Sequence, residues 1–318
     1  MKALVQKGFG SPDVLALREI PKPALGEDRV LVRVRGASLN AADWHMMHRL
    51  PQLIGRLAGI PKSRVRGGDL AGVVEAVGSK VTGFHPGDEV FGVGTGSFAE
   101  YATAPEKGLA LKPRNLTFEQ AAAIPIAGLT ALQGLRDKGQ LEAGQCVLIY
   151  GAGGGVGTFA VQIAKALGAR VTAVTSTRNV ELLHSIGADE VIDYTRKDFA
   201  RRAQRYDIML DIGADRSLEE CQRVLTPNGK LIGCGASGSM WAIVGRMLKG
   251  LLMWRTRRQR RTFIARIRAE DLTVLKQLAE AGKLTPVIER QYPLSEVPDA
   301  LRYLGTRQVR GKLTVSLA

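Results

Sequence analysis

A run of glycines set between an apolar strand and an apolar-faced helix constrains this chain more than any other feature. Cys146-Val147-Leu148-Ile149-Tyr150 is a short, unbroken apolar stretch of the kind buried in a parallel sheet. Gly151, Gly153, Gly154, Gly155 and Gly157 follow at once. Val156, Phe159, Ala160, Ile163, Ala164 and Leu167 then recur at helical spacing, so one face packs on the sheet. Gly168 stops that helix and Arg170 to Thr175 is again strand-like. A sharp strand-to-helix turn needs permissive backbone. Without side chains there, an anion can reach the first N–H groups of the helix and its dipole. A dinucleotide pyrophosphate is the anion this arrangement suits, with Gly151, Gly153, Gly154, Gly155, Val156 and Gly157 around it.

The chain of 318 residues is long enough for two domains. It opens as a strand (Met1 to Val5), without the apolar run of a signal peptide. Three separated cysteines in apolar contexts (Cys146, Cys221, Cys234) point to reduced thiols and a cytoplasmic location. The net charge of +15 suggests nucleic acid until it is located. Nine basic residues and no acidic one lie between Arg246 and Arg268, and the rest carries 36 basic against 30 acidic. That run lacks interleaved aromatics, so nucleic acid is not expected. Met240 to Trp254 is too short to span a membrane but approximates a helical apolar stripe. Two readings stay open for Met240 to Arg261: a weak peripheral membrane contact or substrate lid, and a helix packed on protein or a dimer partner.

Residues 1–116 read as short strands and glycine turns, an antiparallel barrel-like module. Helix begins at Thr117, whose hydroxyl with Gln120 makes a capping-box pattern, and breaks at Pro125. From Cys146 strands and helices alternate through GADEVIDY, YDIMLDI and Lys230 to Cys234, the pattern of a doubly wound parallel sheet. Thr262 to Ile267 is a further strand candidate. Residues 269–318 return to helix and strand. The expected division is 1–116, 117–268 and 269–318, an α/β chain with a parallel sheet plus an antiparallel barrel.

Several pieces in order, ASLNAADWH (37–45), GGDLAGVVEAVG, FHPGDEVFG, AGLTALQGL, GAGGGVG, GADEVIDY and the terminal RGK, give nearly the full length a resemblance. The chain resembles the medium-chain dehydrogenase/reductase superfamily, and within it the zinc-independent, quinone oxidoreductase-like branch. The resemblance implies a GroES-like catalytic domain completed by the C-terminus, an inserted Rossmann domain, and an active site in the cleft between them. It also implies a homodimer paired through a sheet edge.

Zinc needs about three protein ligands, usually Cys or His. Where zinc-dependent relatives carry an early cysteine this chain has the Asn40 region, and where they carry Gly-His-Glu it has Gly67-Gly68-Asp69. His45 and His48, with Asp43 near, lack a third ligand, so no metal is expected. The second strand of the nucleotide module ends in Ser176-Thr177-Arg178 rather than a carboxylate, which favours NADPH over NADH, because hydroxyl and cation can bind a 2′-phosphate. By resemblance Tyr194 lies beside that phosphate. Without a metal, hydride transfer suits an electron-poor acceptor, a small apolar quinone or enone. By resemblance Asn40 and Asp43 line the cleft and Thr130 lies near the nicotinamide, while His45 is the nearest titratable group for proton delivery. Each has a plainer role open to it: Asn40 in a turn, Asp43 in a cap, His45 in packing. In zinc relatives an acid and a base at the positions of Asp69 and Lys312 pair and reach the cofactor. Here that pair is expected to link the domains, with Lys312 on the pyrophosphate. An alcohol or ketone oxidoreductase, and an NADPH-binding scaffold or redox sensor with little turnover, are the rival functions.

Overall fold

The computed structural model describes residues 1–47, 64–213, 215–234 and 260–317. It divides into two compact units, Met1–Leu129 with Arg266–Ala318, and Thr130–Ala265.

The first unit is built on strand β3 (Arg29–Ser38), where Val30, Val32 and Val34 face a core while Arg33 points to solvent. This is the period-2 burial that the alternating RVLVRVRGA stretch demands. β1 (Lys2–Gln6) and β2 (Leu15–Glu19) form a separate hairpin. After helix α1 (Ala41–His45) come β4 (Asp69–Val77), β5 (Glu89–Val93), β6 (Tyr101–Pro105) and β7 (Leu109–Leu111). The sheet runs β14-β15-β3-β4-β5-β7, with β6 also on β3; β14 (Ile288–Pro293) and β15 (Lys312–Ser316) come from the C-terminal segment. All its pairings are antiparallel except β14 with β15. Helix α2 (Phe118–Ala122) starts at the expected capping box: Thr117 Oγ1 accepts from Gln120 N–H, and Gln120 Oε1 accepts from Thr117 N–H. It packs on β3, β4 and β15, so it belongs to the first unit rather than the nucleotide module. Helix α3 (Pro125–Leu132) follows, with Pro125 at a helix start, where its missing N–H costs nothing.

The second unit is a six-stranded, wholly parallel sheet. β8 (Cys146–Tyr150), α4 (Gly155–Ala166), β9 (Arg170–Thr175), α5 (Val180–Ser185), β10 (Glu190–Asp193), β11 (Tyr206–Asp211), α6 (Leu218–Arg223), β12 (Leu225–Gly233) and β13 (Arg260–Thr262) occur in that chain order. In space the strands run β10-β9-β8-β11-β12-β13. The order reverses beside β8, and a crevice for a ligand opens at such a switch point beyond the carboxyl ends of the strands. The last strand is Arg260–Thr262 rather than Thr262–Ile267, because the pairing with β12 ends at Thr262 and Ile264 is exposed. Met240 to Trp254 and most of the basic run lie outside the described residues, as does His48. Helices α7 (Ala269–Glu280) and α8 (Val297–Gly305) belong to the first unit. No helix among the described residues is long and apolar enough to cross a membrane.

Candidate active site

In the second unit the glycines of the turn answer to different demands. Gly151 has φ +88°, which a side chain resists. A Cβ on Gly153 would lie 2.4 Å from Asn179 Nδ2, and one on Gly157 would lie 2.4 Å from Gly151 O and 2.5 Å from Ala152 Cα. Those two are glycine because the protein itself fills the space. Gly154 differs: its backbone is ordinary and extended, and among the described residues a Cβ there would meet only Gly151 O, at 3.7 Å. It is the N-cap of α4 and offers no side-chain cap to the first N–H groups of that helix. Gly155 and Val156, in the first turn, are half-buried. Open space in front of uncapped helical donors fits a dinucleotide pyrophosphate.

Ser176 and Tyr194 reach the same end of the sheet, because β9 and β10 are paired in register: Asp193 lies opposite Thr175 and Tyr194 N–H donates to Thr175 O at 2.9 Å. Arg178 and Tyr194 are exposed. Two residues here escaped the sequence reading. Asp193 accepts from Thr177 Oγ1 at 2.6 Å and from the Thr195 N–H and hydroxyl, with Arg196 at 3.5 Å. Those bonds, led by Thr177, hold its carboxyl below the usual range. Asn179, buried, donates to Thr175 Oγ1 at 3.2 Å and backs Gly153. Only the register of β10 against β9 brings Asp193 to Thr177, and no local motif signals it.

In the first unit a buried polar cluster forms where three strand ends meet. Ser38 ends β3, Asp69 begins β4 and Lys312 begins β15; β15 and β4 flank β3 on either side. Asp69 is fully buried. Its Oδ2 accepts from Ser38 Oγ at 2.9 Å and Asn40 Nδ2 at 2.8 Å, and its Oδ1 accepts from Ile126 N–H at 3.0 Å. Lys312, 3% exposed, donates to Asn40 Oδ1 at 2.7 Å and Leu39 O at 3.0 Å, with Nζ 3.6 Å from Asp69 Oδ2. Burial pushes the Asp69 carboxyl up and the Lys312 ammonium down, and each charge restrains the other's shift. The donor pattern identifies the charge state. Three donors converge on Asp69, and the ammonium donates to two acceptors with the carboxylate 3.6 Å away, so carboxylate and ammonium are the forms that suit these partners.

This arrangement changes two expectations. The Asp69–Lys312 pair does form, but both partners belong to the first unit, so the pair links no domains. Two ammonium hydrogens of Lys312 go to Leu39 O and Asn40 Oδ1 and the charge faces Asp69 at 3.6 Å, so the 3% exposed ammonium is turned toward the buried cluster rather than toward a pyrophosphate. Asn40 likewise commits its amide to Asp69 and Lys312.

Asp43, third residue of α1, accepts the Asn40 N–H at 2.8 Å. Loss of water pushes its carboxyl up to about 7, and the neighbouring Asp69 charge adds to the rise. His45 closes α1, half-buried. Thr130 sits in α3 and is buried.

A mostly antiparallel module completed by the C-terminus, and a parallel sheet of this strand order with a glycine turn after β8, define the medium-chain dehydrogenase/reductase class. Comparison with known proteins agrees. The family described as "Alcohol dehydrogenase GroES-like domain" matches residues 26–114, and that described as "Zinc-binding dehydrogenase" matches 186–315. The chain is 35% identical to the 2-methylene-furan-3-one reductase of Solanum lycopersicum, over 99% of this chain and 79% of the plant protein. It is 34% identical to the chloroplastic NADPH-dependent alkenal/one oxidoreductase of Arabidopsis thaliana, with the same coverage. The solved quinone oxidoreductase from Coxiella burnetii superposes with a TM-score of 0.87 at 31% identity, covering 100% of this chain and 99% of that one. The chain is an oxidoreductase and belongs to the quinone oxidoreductase-like branch of the medium-chain dehydrogenase/reductase superfamily.

One family description names zinc. The cluster around Asn40 and Asp69 holds the Asp69 and Asp43 carboxylates, an amide, a hydroxyl and an ammonium, with no thiolate or imidazole bonded to it among the described residues. A second cation beside Asp69 would face the Lys312 ammonium. This donor set does not fit zinc. Among the described residues no three His, Cys, Asp or Glu side chains gather as metal ligands.

Proposed function

We propose that the protein reduces quinones or α,β-unsaturated carbonyls with NADPH, without zinc. The observation that carries the reading is the turn before α4. Among the described residues Gly154 leaves open space in front of helical donors that no side chain caps, in the same module as the Ser176 and Tyr194 strand ends. The activities named for the tomato and Arabidopsis relatives, a 2-methylene-furan-3-one reductase and an alkenal/one oxidoreductase, support the acceptor class.

When bound, NADPH supplies a hydride from its nicotinamide. The N–H groups at the start of α4 would hold the pyrophosphate. Ser176 and Arg178 would bind the 2′-phosphate by charge-assisted hydrogen bonds, with Tyr194 alongside. Asp193 keeps its charge bound to Thr177, Thr195 and Arg196, so less of it opposes that phosphate. Thr130 would contact the nicotinamide end. His45 is the candidate for returning a proton, and Asp43 on the same helix, its carboxyl pushed up to about 7 by burial, is a second titratable group that could do so. The same reading takes the protein as a homodimer working in the cytoplasm on small apolar molecules.

The test is NADPH oxidation by purified, chelator-treated protein against a panel of quinones and enones, with NADH and simple alcohols as controls. Turnover that survives the chelator and prefers NADPH is expected. Loss restored by zinc would overturn the metal-free reading, and alcohol turnover would favour the alcohol or ketone oxidoreductase. Tight NADPH binding with no acceptor reduced would leave a scaffold or sensor.

A further inference from the structure

The sequence around the start of helix α3 offers no capping side chain. Ile124 precedes it, Pro125 contributes no N–H, and its first turn carries no acidic side chain. The cap comes instead from a residue 57 positions earlier: Asp69 Oδ1 accepts the Ile126 N–H at 3.0 Å. A carboxylate at a helix start meets both an orphan donor and the positive end of the helix dipole. Asp69 has little freedom to move, being buried at a strand end and tied by Ser38, Asn40 and Lys312. The next turn is pinned as well. A Cβ on Gly128 would lie 3.0 Å from Leu275 of α7 and 3.1 Å from Ile124. Thr130 lies four residues beyond Ile126, one turn along the same face.

We propose that Asp69, held in place by Lys312, Asn40 and Ser38, is a positioning residue for Thr130, acting through the start of α3. The inference rests on the reading of Thr130 given under Proposed function. The cluster is therefore an anchor that sets where a threonine hydroxyl stands, and the lysine serves the reaction without touching the cofactor. A misplacement of about 1 Å at a reacting centre costs on the order of a hundredfold, so an anchor one turn before Thr130 has leverage.

The experiment is a double-mutant cycle on the full chain with Asp69→Asn and Thr130→Ala, reading kcat, KM and NADPH affinity by fluorescence titration, with thermal unfolding of each variant alongside. The amide that replaces the Asp69 carboxylate presents mismatched groups to Ile126 N–H or to Asn40 and Lys312, whichever way it turns. Each single change is expected to lower kcat about tenfold or more with KM and NADPH affinity within about threefold, and the double variant to be no worse than the poorer single one. Effects that multiply would overturn the inference while leaving Thr130 in its role. A Thr130→Ala protein with unchanged kcat would remove that role and the inference together. Where Asp69→Asn fails to fold, Ser38→Ala replaces it, since it removes one donor from Asp69 and keeps both charges. Its smaller loss of kcat must vanish in the Thr130→Ala background, and persistence there would refute the anchor.

Discussion

Replacing Lys312 by methionine keeps the length of the side chain and removes the cation paired with Asp69. The carboxylate would then sit fully buried with three neutral or backbone donors, from Ser38, Asn40 and Ile126, and no counter-charge. Removing one partner of a buried pair costs about 3–5 kcal/mol, because the other charge stays behind. For a folding unit of this size that corresponds to a fall in Tm of about 6–20 °C. The pH dependence follows from the sign of the Asp69 shift. Its folded pKa already lies above the ordinary carboxylate value through burial, and loss of the ammonium raises it further. A carboxyl whose folded pKa exceeds its unfolded one penalises folding when ionised. That penalty is full above the folded pKa and disappears as pH falls toward the unfolded value. Thermal and urea unfolding of both proteins from pH 5 to 8 should show a gap widest at pH 8 that narrows toward pH 5. Asp69→Asn combined with Lys312→Met should recover part of the loss, since no charge is then stranded. A gap under about 1 kcal/mol that does not change with pH would refute the assignment of Asp69 and Lys312 as a buried ionised pair.

Four further outcomes are expected. Gly154→Ala should unfold within a degree or two of the parent but bind NADPH about tenfold or more weakly, because its Cβ has room in the protein and would stand where a pyrophosphate must approach. Gly157→Ala should instead lose roughly 1–3 kcal/mol of stability, its Cβ falling on the Gly151 and Ala152 backbone, so equal behaviour of the two variants would sink this division of labour. Arg178→Ala should weaken NADPH about tenfold in a binding titration and leave NADH unchanged, and parallel losses for both cofactors would show that the guanidinium does not read the 2′-phosphate. Asp43→Asn should gain stability over the parent as pH rises from 5 to 8. The parent's carboxyl, pushed up to about 7, must ionise in the fold at a cost the amide avoids, and urea unfolding at the two pH values checks the sign.

The parts that were legible in the sequence share one property: the interacting residues are close along the chain. The strand, turn and helix from Cys146 to Ala166 follow from local periodicity, and the Thr117–Gln120 capping box appears in the structure bond for bond. The glycine run was legible as a turn but not as a division of tasks. That Gly153 is glycine because Asn179 and Thr175 lie behind it depends on how the segment after β9 folds back. Asp193 escaped for the same reason, since the register of β10 on β9 is what sets it against Thr177. Lys312 shows the limit most clearly. An Arg-Gly-Lys at the end of a reductase-like chain reads as a phosphate contact, and nothing nearby says that the ammonium is surrounded by Leu39, Asn40 and Asp69 from far up the chain.

The same accounting of donors and acceptors separates the two acids of the cluster. Asp69 accepts from three donors and faces an ammonium, so protonating it would leave a donor without an acceptor and strand the Lys312 charge. Asp43 takes the Asn40 N–H on one oxygen, faces the negative charge of Asp69, and has Lys312 and Arg66 as its opposing cations. Its proton is the cheaper one to keep. Two carboxyls joined through one asparagine are thus driven to different protonation states, the condition under which one acid can hold a proton while the other holds a structure. In this fold the fixed charge goes to the residue that caps the helix of Thr130, and the exchangeable proton to its neighbour on α1.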